Sequence, residues 1–245
     1  MRRIFLICML LAAACDLHAQ GNATFHVFPQ IADGIIVGGT TLTGYVSSVL
    51  VTNTSNQSSN CTIQLYGSGL ANRLPGSSFT LDTSGSSIFL ATTLGSRNIQ
   101  PLATGYSTLT CSQPVAAAVL YAYVSLAGVL SAATVFSSPP ATRAQLFDIG
   151  GGSRLAFALA NDTDASAQYQ LALVTPAGQT VTSTTLTVAA RSNVAKFIDE
   201  VFTPFPPNFT GAFTATSSGS AKFSLLGLIF MGDLFTSEPA AILAQ

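Results

Sequence analysis

Two stretches 106 residues apart follow one plan. TGYSTLTCSQPVAAAVLYAYV begins at Thr104 and TGAFTATSSGSAKFSLLGLIF at Thr210. Each opens on Thr-Gly, runs as an alternating Ser/Thr-rich strand, passes a short polar turn and enters an apolar run. Upstream, SSVLVTNTSNQSSNCTIQLYGSG from Ser47 matches RLAFALANDTDASAQYQLALVTPAG from Arg154, and Asn53 falls on Asn161, 108 residues on. Downstream, VFSSPP at Val135 echoes LFTSEP at Leu234. Three matches in one order at similar offsets constrain a fold more than any single motif, because each copy must bury its own apolar face. The spacing predicts two modules of roughly 100 residues, an ordinary domain size, at 20–141 and 142–245.

Within each module the period is that of β-structure. Val49 and Val51 alternate with polar residues, as do Leu155, Phe157 and Leu159, then Tyr169, Leu171 and Leu173. Polar or Gly-rich turns such as NTSNQSSN, NDTDASAQ and TPAGQ interrupt the runs. That pattern predicts all-β modules: two tandem antiparallel β-sandwiches, immunoglobulin-like or of a related Greek-key type. One segment departs from it. In NVAKFIDEVF, Asn193 to Phe202, apolar residues recur at helical intervals, which predicts a short helix ended by Pro204, Pro206 and Pro207.

The apolar run Val115 to Phe136 is 22 residues long and carries no charge, enough for a membrane span. Its counterpart carries Lys222 and Asp233, so both are expected as strand–turn–strand and the chain is not expected to be transmembrane. The N-terminus reads as a signal peptide, residues 1–19. Arg2 and Arg3 precede the apolar run Ile4 to Ala14, and Ala19 offers a cleavage site. The alternative is lipidation at Cys15, where Ala12 stands in place of the usual leucine. Removal of the segment leaves 226 residues with two cysteines, Cys61 and Cys111. A pair in an exported chain is expected as a disulfide, stabilising by at most about 3–4 kcal/mol for a loop of this length.

Charge narrows the function. Asp, Glu, Lys and Arg make up 8% of the chain and its net charge is −1, against about 25% charged residues in an average soluble protein. Phosphate neutralisation, and with it nucleic-acid binding, is excluded. An uncharged Ser/Thr/Asn/Gln surface also lowers the barrier to self-association.

No catalytic constellation emerges. HVFPQIADG holds His26, the sole histidine beyond the leading segment, with Asp33 seven residues on. A nucleophile beside its base is lacking, and so is a G-x-S-x-G elbow. GGGSRLA at Gly150 lacks the Lys-Ser/Thr ending of a phosphate loop. Asp199 and Glu200 read as solvated carboxylates. Asn161, Asp162 and Asp164 offer oxygen ligands of the kind calcium takes, but the matching NTSNQS has no carboxylate, and an Asx-rich turn is the better expectation. Zinc lacks ligands. The chain therefore reads as a non-enzyme with no cofactor and no metal.

The motifs HVFPQIADG, GYVSSVLVTN, LAFALAND, NVAKFIDEVF, FTGAFTATSS and LFTSEP together resemble a family of secreted bacterial proteins of uncharacterised function. It is marked by paired β-rich modules, an FPQ-ADG start, L-L-N strands and an A-F-DE-F helix. The resemblance covers residues 25–240. It implies an extracellular or surface-associated protein and brings no catalytic residues. The chain departs from the pattern at Cys61 and Cys111, near whose places the second module has Tyr169 and Ser217. The expected function is that of an exported binding or structural protein at the cell surface or secreted. A glycan or protein would meet the loops that start at Asn53 and at Asn161 with Asp162 and Asp164. The alternatives are a fibre or coat subunit assembling by strand edges and a carboxylate hydrolase. Phe25, Val27 and Ile31 are expected to pack a leading strand onto the first sandwich, with Asp33-Gly34 turning the chain.

Overall fold

Strand β3 (Ser59–Tyr66) shows why this chain forms sheets: Cys61, Ile63 and Leu65 are buried while Asn60, Thr62 and Gln64 are exposed. Period-two burial of this kind commits one face to a core and the other to water. The computed structural model describes residues 23–36, 43–73, 77–90, 101–125, 128–148 and 150–244. The predicted signal segment and Cys15 lie outside the described residues. The fold is nearly all β, with antiparallel sheets in a sandwich arrangement.

The first eight strands are β1 (Ala23–Ile36), β2 (Thr43–Asn53), β3, β4 (Ser77–Leu81), β5 (Ser86–Leu90), β6 (Ala103–Ser125), β7 (Gly128–Phe136) and β8 (Arg143–Asp148). The first seven make one sheet that folds over on itself. The first half of β6 pairs with β3 and β1, and the second half with β2 and β7. The change of partners falls around Pro114, where a missing N–H does least harm. β1 changes partners too. Asp33 still pairs with Ala103 of β6, but Gly34, at φ 118°, pairs with Tyr45 of β2. Asp33-Gly34 is therefore not a turn but the point where one strand passes between layers, and glycine supplies the left-handed backbone. Two layers result, β4-β3-β6-β1 and β5-β2-β6-β7.

The remaining strands are β9 (Arg154–Asn161), β10 (Ala167–Val174), β11 (Thr180–Val188), β12 (Ser192–Phe197), β13 (Gly211–Ser217), β14 (Ser224–Met231), β15 (Leu234–Pro239) and β16 (Ala241–Ile242). With β8 they form two sheets, β11-β10-β13-β8-β16 and β12-β9-β14-β15. Strand for strand, this is the order of the first two layers, with β16 added.

Val115–Phe136 forms the expected hairpin within β6 and β7, and no helix among the described residues is long and apolar enough to cross a membrane. The expected helix over Asn193–Phe202 is corrected. Ser192–Phe197 is a strand paired with β9, and only Ile198–Val201 makes a helical turn. Val194 and Ile198 face one core while Phe197 packs against Phe230 on the opposite face, so a run with helical spacing is split across a sheet. The leading strand is corrected at one residue. Phe25 is exposed, whereas Ile31 joins the first core and Val27 meets Tyr106 and Ala160.

β14 links the two cores. Leu225 points into the second core, and Leu226 and Leu228 into the first, which Phe235 of β15 also joins. The unbroken apolar run SLLGLIFM is what a strand buried on both faces requires.

Candidate functional site

The outer face of the β12-β9-β14-β15 sheet meets the layers built from β1 to β7 across a seam. On β9, Leu155, Phe157 and Leu159 fill the second core, so Ala156, Ala158 and Ala160 face the seam. Small side chains there let another module approach and leave space beneath it. The seam combines the apolar contacts of Leu226, Leu228 and Phe235 with hydrogen bonds. Asn193 Nδ2 faces Pro29 O at 2.8 Å, Gly105 O at 3.0 Å and Gln30 Oε1 at 3.1 Å. Tyr106 donates to Asp162 at 2.8 Å. Ser138 accepts from the Ser224 hydroxyl through its carbonyl and from Leu225 N–H through its hydroxyl. Phe235 N–H donates to Ser131 Oγ at 3.2 Å.

Between these contacts lies a cleft of about 410 Å³, within the usual range of roughly 300–1,000 Å³ for ligand pockets. Its floor is Ala156, Ala158 and Ala195 with Leu226 and Leu228. Phe197 and Phe230 close one end, Gln30 and Asn193 the other, and Tyr45, Tyr121, Leu102 and Thr104 form the wall from the first module. The rings are already engaged. Tyr45 stacks on Tyr121 at 5.1 Å and leans on Tyr123 at 5.2 Å. The Arg154 guanidinium lies 3.7 Å over Phe197 and binds Asp199 through two hydrogen bonds. Burial first, then the neighbouring Tyr123 and Asp233, pushes the Tyr45 phenol up, and burial does the same for Tyr121. Both remain neutral hydroxyls throughout the physiological range. The cleft is thus mostly apolar, with Gln30, Asn193, Lys196 and Glu200 as polar and charged groups in its lining.

The residues expected from sequence fall elsewhere. Asn53 and Asn161 are buried and close their own loops. Asn161 Nδ2 faces Ala165 O, Val188 O and Ala189 O, and its Oδ1 accepts from Thr163 N–H and hydroxyl. Asn53 repeats the set with Gln57 O, Leu81 O, Asp82 O and Ser55. Their amides are spent on the backbone and are not presented to a partner. Asp162 and Asp164 are both paired with Arg191, at 2.7 and 2.9 Å. Arg191 thus supplies the countercharge to both carboxylates, and no group of three metal-ligating side chains occurs among the described residues.

His26 is buried, with Nδ1 3.0 Å from Ser137 Oγ and Nε2 donating to Ala23 O. Burial lowers its pKa, partly offset by bonds to the backbone of Ala23 and Val115. Asp33 lies seven residues along the same strand, roughly 20 Å away at strand rise, so the two do not form a site. Glu200 accepts from Phe197 N–H. Cys61 and Cys111 are directly opposed on β3 and β6 and joined by a disulfide, and Tyr169 opposes Ser217 at the matching places of β10 and β13. The Tyr169 hydroxyl is buried and its pKa is pushed up to about 12 by burial.

No family model matches the chain, and no curated protein matches it. Among solved structures it is similar to a "putative secreted protein" from Parabacteroides distasonis ATCC 8503, at 12% identity over 88% of this chain and 94% of that one, with a TM-score of 0.22. A TM-score this low carries no inference about fold or function.

Proposed function

We propose that this chain is an exported, non-enzymatic binding protein whose ligand seats in the cleft where its two β-modules meet. The cleft carries the reading: a preformed, mostly apolar cavity at a module junction, with a few polar groups at its ends, is the usual form of a binding site. The disulfide and the predicted signal segment support export. The matching strand orders and the matching asparagine networks support two copies of one module, of the kind the family resemblance implies. The second copy has turned an outer sheet face to its neighbour.

Filling the floor tests this. Ala156→Leu with Ala158→Leu adds bulk to the outer face of β9 without touching Leu155, Phe157 or Leu159. A displayed decapeptide library and a glycan array serve as probes. The wild-type protein is expected to retain binders that the filled variant, folded by circular dichroism, does not. A filled variant that keeps the same binders at the same affinity refutes the cleft.

One observation favours a second reading, assembly through strand edges. Among the described residues β11 pairs with β10 alone, and its nine residues, TVTSTTLTV, contain no charge and no proline, so none of its own side chains opposes another strand. Light scattering across concentration distinguishes the two: a strict monomer removes the assembly reading.

A further inference from the structure

We infer that the ligand of the cleft is an extended peptide that adds as a further strand to the edge of β12. The inference rests on the cleft reading and deepens it. Among the described residues β12 lies at the end of its sheet, paired only with β9, and two independent hydrogen bonds show which of its residues point outward. Phe197 N–H donates to Glu200 Oε2 at 3.1 Å, so it faces away from β9. At the other side of the sheet, Phe235 N–H leaves β15 for Ser131 Oγ. Carried through the registers Phe235–Phe230, Leu228–Ala156 and Ala156–Phe197, the alternation of an antiparallel ladder gives the same parity.

Ala195 shares the parity of Phe197. Its N–H and C=O therefore point out of the sheet, and they make no hydrogen bond to another described residue. Ala195 is exposed, and it lines the cleft beside Ala156 and Ala158. An incoming strand that pairs with Ala195 lays alternate side chains over this floor. Main-chain bonds supply affinity and the cleft selects the side chain, which is the logic of strand addition.

The same surroundings disfavour a sugar. A glycan needs a free ring face, and Tyr45 stands between Tyr121 and Tyr123 while Arg154 covers Phe197. The lining also includes Gln30, Asn193 and Thr104, with Lys196 and Glu200 beside the β12 edge.

The test begins with decapeptides selected from a displayed library on the full exported chain. The best is synthesised, and its affinity is measured by fluorescence anisotropy. Ala195→Pro deletes one outward N–H and leaves the ladder to β9 intact, as edge prolines do. The expected result is at least a tenfold loss of affinity with an unchanged melting temperature. Independently of any variant, N-methylation at one amide of the peptide, scanned along its length, is expected to abolish binding at alternate positions only. The inference is overturned if Ala195→Pro and every N-methylated peptide bind like their parents, even where Ala156→Leu with Ala158→Leu blocks binding; that outcome leaves the cleft reading standing. A library that yields no binder while the glycan array does also overturns it. Binding that survives the filled floor overturns the cleft reading instead.

Discussion

Replacing Asn161 tests the claim that the two matching loops are closed by a buried amide and not displayed. The two Nδ2 hydrogens serve three carbonyl oxygens at 2.8–3.1 Å, and Oδ1 accepts two more bonds from Thr163. A typical hydrogen bond contributes about 1 kcal/mol net, and orphaned buried partners cost more. Asn161→Ala is therefore expected to cost about 3–5 kcal/mol. At about 2–4 °C per kcal/mol for a chain of this size, the melting temperature falls by roughly 10 °C. Asn161→Asp keeps the shape but turns a donor into an acceptor facing three carbonyls. Its carboxyl should titrate above the unfolded value of about 3.9. The folded variant then binds more protons than the unfolded one between those two pKa values, so its stability relative to wild type rises as pH falls through that window. Urea unfolding followed by circular dichroism from pH 7.5 to 4 measures both effects. A loss under 1 kcal/mol in Asn161→Ala refutes the closure. So does an Asn161→Asp variant whose deficit grows in acid.

Three further outcomes follow from the packing. A Cβ at Gly105 would stand inside the van der Waals shell of Tyr66 O, and one at Gly211 inside that of Val174 O. Gly105→Ala and Gly211→Ala are each expected to destabilise by about 1–3 kcal/mol or more, read by calorimetry. Val27→Asp places a charge between Tyr106 and Ala160 and should lower the melting temperature of both modules together, because Val27 sits in the seam. An unchanged transition would refute that packing. Neutral buried His26 resists protonation in the fold, so stability should be level above about pH 6.5 and fall as pH drops below it, and His26→Gln should flatten that slope.

The architecture was legible because alternation is a local signal. Val49 and Val51, Leu155 to Leu159 and Tyr169 to Leu173 all read as strands, and strands they are. Cys61 and Cys111 were legible as a pair, though only the register shows them opposed within one sheet. The seam was not legible, because it depends on how the sheets of the two halves meet. Ala156, Ala158 and Ala195 look like weak strand residues when read singly. Asn193 to Phe197 has helical spacing because its apolar residues serve two different faces, and a periodicity argument assumes one. Asn53 and Asn161 stood at the starts of polar loops, where an inward amide and an outward one look alike in sequence.

The two halves of the chain show how the cleft is made. Residues 108 apart on β2 and β9 carry the same inward logic: Val49 with Phe157, Val51 with Leu159 and Asn53 with Asn161. On the other face they part company. β2 has Ser48, Leu50 and Thr52 where β9 has Ala156, Ala158 and Ala160. The face trimmed to alanine is the one that meets the other module, and its trimming both admits that module and leaves the cavity beneath it. Ala158→Leu therefore restores the side chain that β2 carries at the matching place, on a strand of the same order and register. A leucine is compatible with that backbone, so loss of binding in the filled variant would report an occupied cleft and not a broken sheet.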